Sequence, residues 1–114
     1  MRNISFSKTI PQFKARTKTV TRRIGWEFLR PGDLLMAIEK GQGLKKGGKV
    51  VKLGPIRILK AFRTPLSLID QQDVIREGFP DMSPDEFVAF FCKAMRCQPD
   101  KIVTRIRFEY VETV

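Results

Sequence analysis

The chain has 114 residues, 42% of them hydrophobic and 30% charged, with a net charge of +10; this suits one domain around one modest core and is too apolar for a disordered chain. It has no His and only two Cys, which excludes Ser-His-Asp and Cys-His catalysis, His-based zinc sites and a four-Cys zinc site. No apolar run approaches the ~18 residues that span a membrane, and the N-terminal segment lacks the apolar stretch of a secretory signal. The expectation is a single domain over residues 1–114, cytoplasmic and monomeric, with no membrane contact, metal or cofactor.

The charge is unevenly spread. Residues 1–60 carry 15 Lys and Arg against 3 acids, whereas residues 61–114 carry 7 against 9. A field concentrated in this way attracts an anionic partner, and RNA or a nucleoside or nucleotide ligand is the class it favours.

In chain order, RNISFS alternates and predicts a first strand with Ile4 and Phe6 on one face. SKTIPQFKAR predicts a short helical turn with Pro11 near its start. The β-branched TKTVTRR predicts a strand. Pro31-Gly32-Asp33 is a turn that leads into a further strand. KGQGLKKGGK reads as a basic loop, either a phosphate-contacting arm through Lys45 and Lys46 or a solvated hairpin tip. Its glycines lack the P-loop spacing. KVVKLGPIRILKAFRTPL predicts a long strand bent or interrupted at Gly54-Pro55.

SLIDQQDVIREGF reads as helical and ends at Gly78. In SPDEFVAFFCKAMRC, Ser83 is the N-cap, Pro84 takes the first position and Glu86 completes a capping box. Phe87, Phe91 and Met95 form an apolar stripe that covers a sheet. Cys92 and Cys97, placed on this helix, point in different directions; both are expected reduced, with Cys92 a small core residue. KIVTRIRFEYVE is the last strand, with Ile102, Thr104, Ile106, Phe108 and Tyr110 on one face. Short connections make the sheet mixed and mostly antiparallel. The fold class is α+β: five or six strands curled into a small β-barrel, with flanking helices.

KTVTRR, RPGDLL, REGF before a capped helix, and a final VTRIRFEYV strand resemble the ASCH domain, in that order and over essentially the whole chain. The commonest ASCH pattern is Gly-x-Lys, and this chain carries Arg16-Thr17-Lys18 in its place. The resemblance implies a PUA-like barrel, a fold whose members bind RNA or modified bases. Some small ASCH members are amidohydrolases that deacetylate 4-acetylcytidine with a Lys, a Thr three residues on, and a later Glu. The matching residues are Lys18, Thr21 and Glu77, with Arg23 matching a shared Arg.

Lys18 and Thr21 are an odd number of residues apart, so within one strand they face opposite ways. They converge only if Lys18 precedes the strand. Thr19, Thr21 and Arg23 then share the face that lines the barrel mouth. Thr21 needs a base, and Lys18 serves as one only if burial and neighbouring Arg residues lower its pKa. Glu77 suits water activation or a proton shuttle. Arg16, Arg22, Arg23 and Trp26 are candidate ligand contacts, Trp26 by stacking on a base. Against these stand plain alternatives: solvated charges, a strand Thr, a core Trp, and a Glu77 that is a surface acid or a structural ion-pair partner.

Three readings follow. One is a module binding RNA or a modified nucleoside in a pocket lined by Lys18, Thr21, Arg23 and Glu77. The second is an amidohydrolase of N-acylated cytidine-like nucleosides, with Thr21 as nucleophile and Lys18 as base. The third is a small basic adaptor for an acidic protein.

Overall fold

The computed structural model describes residues 1–41 and 48–112. Lys45 and Lys46, read from the sequence as a phosphate-contacting arm or a hairpin tip, lie outside the described residues. Five strands form one sheet: β1 (Arg2–Ser5), β2 (Val20–Arg23), β3 (Leu34–Ile38), β4 (Lys52–Pro65) and β5 (Ile102–Tyr110). Their order is β1-β3-β4-β5-β2. Only β1 and β3 run parallel; the other neighbours are antiparallel.

The sheet curls into a half-barrel. Its two edges are β1 and β2, yet the Arg23 guanidinium on β2 lies 4.9 Å from the ring centre of Phe6, directly after β1. Strong curvature needs local irregularity, and the long strand β4 supplies it twice. Register slips at Leu53, opposite Ala37 and Ile38, and at Leu59, opposite Phe108 and Arg107. The interruption expected at Gly54-Pro55 is therefore a bulge beside it, and β4 runs through both residues.

Apolar residues on the concave face fill the barrel: Ile4, Phe6, Leu35, Ile56, Ile58, Ile106 and Phe108 are all buried, with Phe13 of α1 (Ile10–Lys14) plugging one end. A second cluster lies beyond it. Here α3 (Pro84–Met95) sets Phe87 and Phe91 against Leu66, Ile69, Val74 and Val103. The capping box at the start of α3 forms as its sequence predicts: Ser83 Oγ accepts from the Glu86 N–H, and Glu86 Oε1 accepts from the Ser83 N–H. Met95 departs from the expected stripe. It is 45% exposed and covers no sheet.

The helical segment before α3 is shorter than its sequence suggested. Leu66–Leu68 is a 3-10 turn and α2 spans only Gln71–Arg76, started by Asp70, whose Oδ1 accepts from the Asp73 N–H.

The reading of the two cysteines is corrected. Helix α3 ends at Met95, and Arg96 takes left-handed backbone angles (φ 53°, ψ 54°) that turn the chain back. Cys97 lies past the helix, and its Sγ stands 3.9 Å from that of Cys92.

Candidate functional site

Lys18 sits in the link between α1 and β2, ahead of the strand, as convergence with Thr21 requires. Two close approaches hold it there. The Tyr110 hydroxyl donates to the Lys18 carbonyl at 2.5 Å. Gly78 (φ +104°), just past α2, lets the link pass: a Cβ there would lie 2.8 Å from Gln12 Cγ and 3.6 Å from Lys18 Cβ. Glycine is thus needed for both the backbone angle and the space. The result is a buried ion pair. Lys18 Nζ donates to Glu77 Oε1 at 2.8 Å and to the Glu77 carbonyl at 2.8 Å, and both side chains are 3% exposed. Burial drives the Lys18 pKa down, Glu77 opposes it, and Arg23 and Arg22 push it further down.

Glu77 is shared. Its Oε2 accepts from Arg22 Nη1 at 3.3 Å, and Arg22 Nη2 makes a shorter contact, 2.7 Å, with Asp73. Asp73 also takes Arg105 and Arg76. Burial pushes the Asp73 carboxyl up, but hydrogen bonds from Arg105, Arg22 and Arg76 outweigh it and hold it well below the carboxylate range. Arg22 Nε has no hydrogen-bond partner despite its burial.

Thr21 and Arg23 face the concave side together, and Arg23 Nε donates to Thr21 Oγ1 at 3.0 Å. Burial lowers the Arg23 pKa to about 10, with Glu77 opposing. Gly25 and Trp26 both have positive φ, 83° and 56°. Buried Thr104 donates to the Gly25 carbonyl and secures this turn. The turn aims Trp26 at the same space.

These residues surround a cavity of ≈ 710 Å³. Lys18, Thr21, Arg22, Arg23 and Glu77 make its polar wall, together with Ser5, Ser7 and Lys8; Phe79, Phe87, Phe90, Phe91 and Met95 make an apolar wall opposite. The volume suits a small organic ligand, and the walls suit one with a flat apolar body and polar edges. Among the described residues, no cluster of three or more His, Cys, Asp or Glu side chains could hold a metal ion.

Of the candidates drawn from the sequence, Lys18, Thr21, Arg22, Arg23, Trp26 and Glu77 all line this cavity, whereas Arg16 does not. Arg16 pairs with Glu112 and lies over the Tyr110 ring, in a separate concavity of ≈ 230 Å³. Its φ of 58° is the left-handed conformation that glycine adopts freely, so an Arg in place of the Gly of Gly-x-Lys carries a backbone cost here.

Sequence reasoning missed Asp73, Arg105 and the apolar wall. The signal for Asp73 was its spacing four residues before Glu77, the residue that caps the end of α2, which sets both carboxylates on one side of that helix.

No protein-family model matches the chain, and no curated protein matches it. Among the solved structures that resemble it in fold are two crystal structures. One is a protein of Enterococcus faecalis of the family model DUF984, at 19% identity and a TM-score of 0.67, covering 97% of this chain and 76% of the other. The second is an ASCH domain from Lactobacillus crispatus, at 13% identity and a TM-score of 0.61, covering 96% of this chain and 78% of the other. No helix among the described residues is long and apolar enough to cross a membrane. The half-barrel, its flanking helices and these two neighbours together give this chain the fold of an ASCH domain.

Proposed function

We propose that the cavity binds an N-acylated pyrimidine nucleoside and hydrolyses its exocyclic amide. The observation that carries this reading is the buried Lys18–Glu77 pair, 2.8 Å apart, on the cavity wall that also bears Thr21. A desolvated lysine with a lowered pKa is an amine prepared to act as a base, and such groups concentrate at functional sites.

In this reading, the neutral amine form of Lys18, not the ammonium of the ion pair, takes the Thr21 Oγ proton as that oxygen attacks the amide carbonyl carbon. Arg23, already hydrogen-bonded to Thr21 Oγ1, stabilises the oxyanion. The C–N bond then breaks, and the departing amino group takes the proton held by Lys18. This leaves the acyl group as an ester on Thr21. Water, activated by Glu77, hydrolyses the ester, releasing a carboxylic acid and restoring the threonine. Trp26 and the phenylalanine wall supply flat surface for the base.

Purified protein incubated with 4-acetylcytidine, with cytidine followed by chromatography, tests this. Turnover is expected from the native chain and not from Thr21→Ala or Glu77→Gln, with circular dichroism unchanged in both. Absence of turnover by the native chain overturns it.

A second reading is supported by the charge of the cavity, where Lys8, Lys18, Arg22 and Arg23 face Glu77. It is a module that binds RNA or a modified nucleoside without turnover. Its affinity for RNA falls steeply with salt, and Thr21→Ala leaves it intact.

A further inference from the structure

Cys92 and Cys97 are five positions apart, a spacing that in a continuous helix separates two side chains by more than a quarter turn. Here the helix stops between them. The Cys92 carbonyl accepts from the N–H of Arg96 and, at 3.2 Å, from that of Cys97. This is the hydrogen bonding of a left-handed helix cap, which folds the residue past the cap back over the last turn. It ties the two cysteine backbones together and brings the Cys97 thiol onto the Cys92 sulfur, 3.9 Å away. A disulfide needs about 2.0 Å between sulfurs, so the 3.9 Å separation leaves only a small gap to close. Both residues are partly exposed, so a small oxidant reaches them.

We propose that Cys92 and Cys97 form a reversible dithiol–disulfide couple that locks the end of α3. The oxidant class is a low-molecular-weight disulfide such as oxidised glutathione. One cysteine thiolate attacks a glutathione sulfur; the glutathione S–S bond breaks and one glutathione thiolate leaves. The second cysteine loses its proton and attacks the sulfur of the first, which expels the second glutathione. The protein dithiol is oxidised by two electrons and oxidised glutathione is reduced to two thiols, which take the two protons. Burial, with the hydrogen bond from Cys97, raises the Cys92 thiol pKa, so closure accelerates as pH rises.

The lock acts on the cavity. Phe91, Ala94 and Met95 belong to the same turns of α3 and line its apolar wall. Arg96 lies between the cysteines at a left-handed φ of 53°, a conformation that costs a non-glycine residue free energy. In the proposal, the disulfide holds that cap closed and fixes the wall.

The test uses the full chain equilibrated with graded ratios of oxidised to reduced glutathione, quenched with maleimide and weighed intact. The expected product is a monomer lighter by two hydrogens that carries no maleimide and no glutathione, and that returns to the dithiol on reduction. Cys92→Ser and Cys97→Ser, neither of which touches the polar wall, are each expected to retain one glutathione instead. Amide hydrogen exchange at residues 94–97 is expected to slow at least tenfold on oxidation of the native chain. Two maleimides or two glutathiones on the native chain at every ratio overturn the couple. A disulfide that leaves exchange at residues 94–97 unchanged overturns the lock.

Discussion

Lys18 reaches Glu77 across 59 positions of sequence and donates to it twice, at 2.8 Å to Oε1 and at 2.8 Å to the backbone carbonyl. The second bond fixes the ammonium to the C-terminal end of α2, where carbonyl groups lack helical partners. Lys18 thereby caps the helix that carries its own counter-ion. A pair so placed has a structural and a chemical consequence, and the two are separable.

Glu77→Ala leaves the Lys18 charge buried without its carboxylate and is expected to cost about 3–5 kcal/mol in urea unfolding. Lys18→Met combined with Glu77→Leu removes both charges and is expected to recover most of that loss. On the proposed chemistry, the double variant remains without turnover. Stability and turnover recovering together would make the pair purely structural.

Burial holds the Lys18 pKa below its ordinary value, and Glu77 is the group that resists this. Replacing the carboxylate by Glu77→Gln is therefore expected to lower the Lys18 pKa further, followed by side-chain NMR of the lysine. Between the folded value and the ordinary lysine value, the unfolded chain binds more protons. Lys18 thus contributes stability that rises with pH in that window. An upward shift in the variant contradicts the assignment.

Asp73 behaves with the opposite sign. Its folded pKa is depressed below the ordinary 3.8, so its contribution is full above that value and fades as pH falls toward the folded one. Asp73→Asn is expected to cost about 1–3 kcal/mol at neutral pH, since part of its arginine shell is solvent-screened. Urea midpoints of native chain and variant should converge as the pH is lowered from about 5 to about 2.

Gly78→Ala places a methyl 2.8 Å from Gln12 Cγ at a φ of +104°. The expected loss is about 1–3 kcal/mol. Displacement of the α1–β2 link moves Lys18 from Glu77, so turnover falls with stability. A variant of native stability would show that the link has slack.

At Arg16 the left-handed backbone, φ 58°, decides which substitutions fit. Arg16→Gly is expected to keep the native urea midpoint within a small margin, because relief of strain offsets the lost pairing with Glu112. Arg16→Val, β-branched and poorly suited to positive φ, is expected to lower it clearly. Neither touches the cavity, so 4-acetylcytidine turnover should follow only the folded fraction.

Much of the architecture was legible because its causes are local. The Ser83–Glu86 capping box, Pro11 at the first turn of α1, and the alternation of β5 all depend on residues within a few positions of one another. The start of β2 was not legible in this way: TKTVTRR reads as one strand, and the structure begins it only at Val20, which leaves Lys18 ahead of it. What the sequence by itself determined was thus a set of elements, their polarity and a list of candidate side chains.

Only the tertiary structure decided which of these meet. Glu77 stood among Asp70, Asp73 and Asp81, marked only by its place in the REGF fragment, and its burial comes from α2 docking beside β2, with Gly78 giving the clearance. Arg16 stood two residues from Lys18 and was indistinguishable by charge, yet one positive φ turns it away to Glu112. Cys97 was read as part of a helix that ends two residues earlier, and a left-handed Arg96 returned it to Cys92. In each case the deciding quantity is a backbone angle or a packing distance, which local periodicity does not encode.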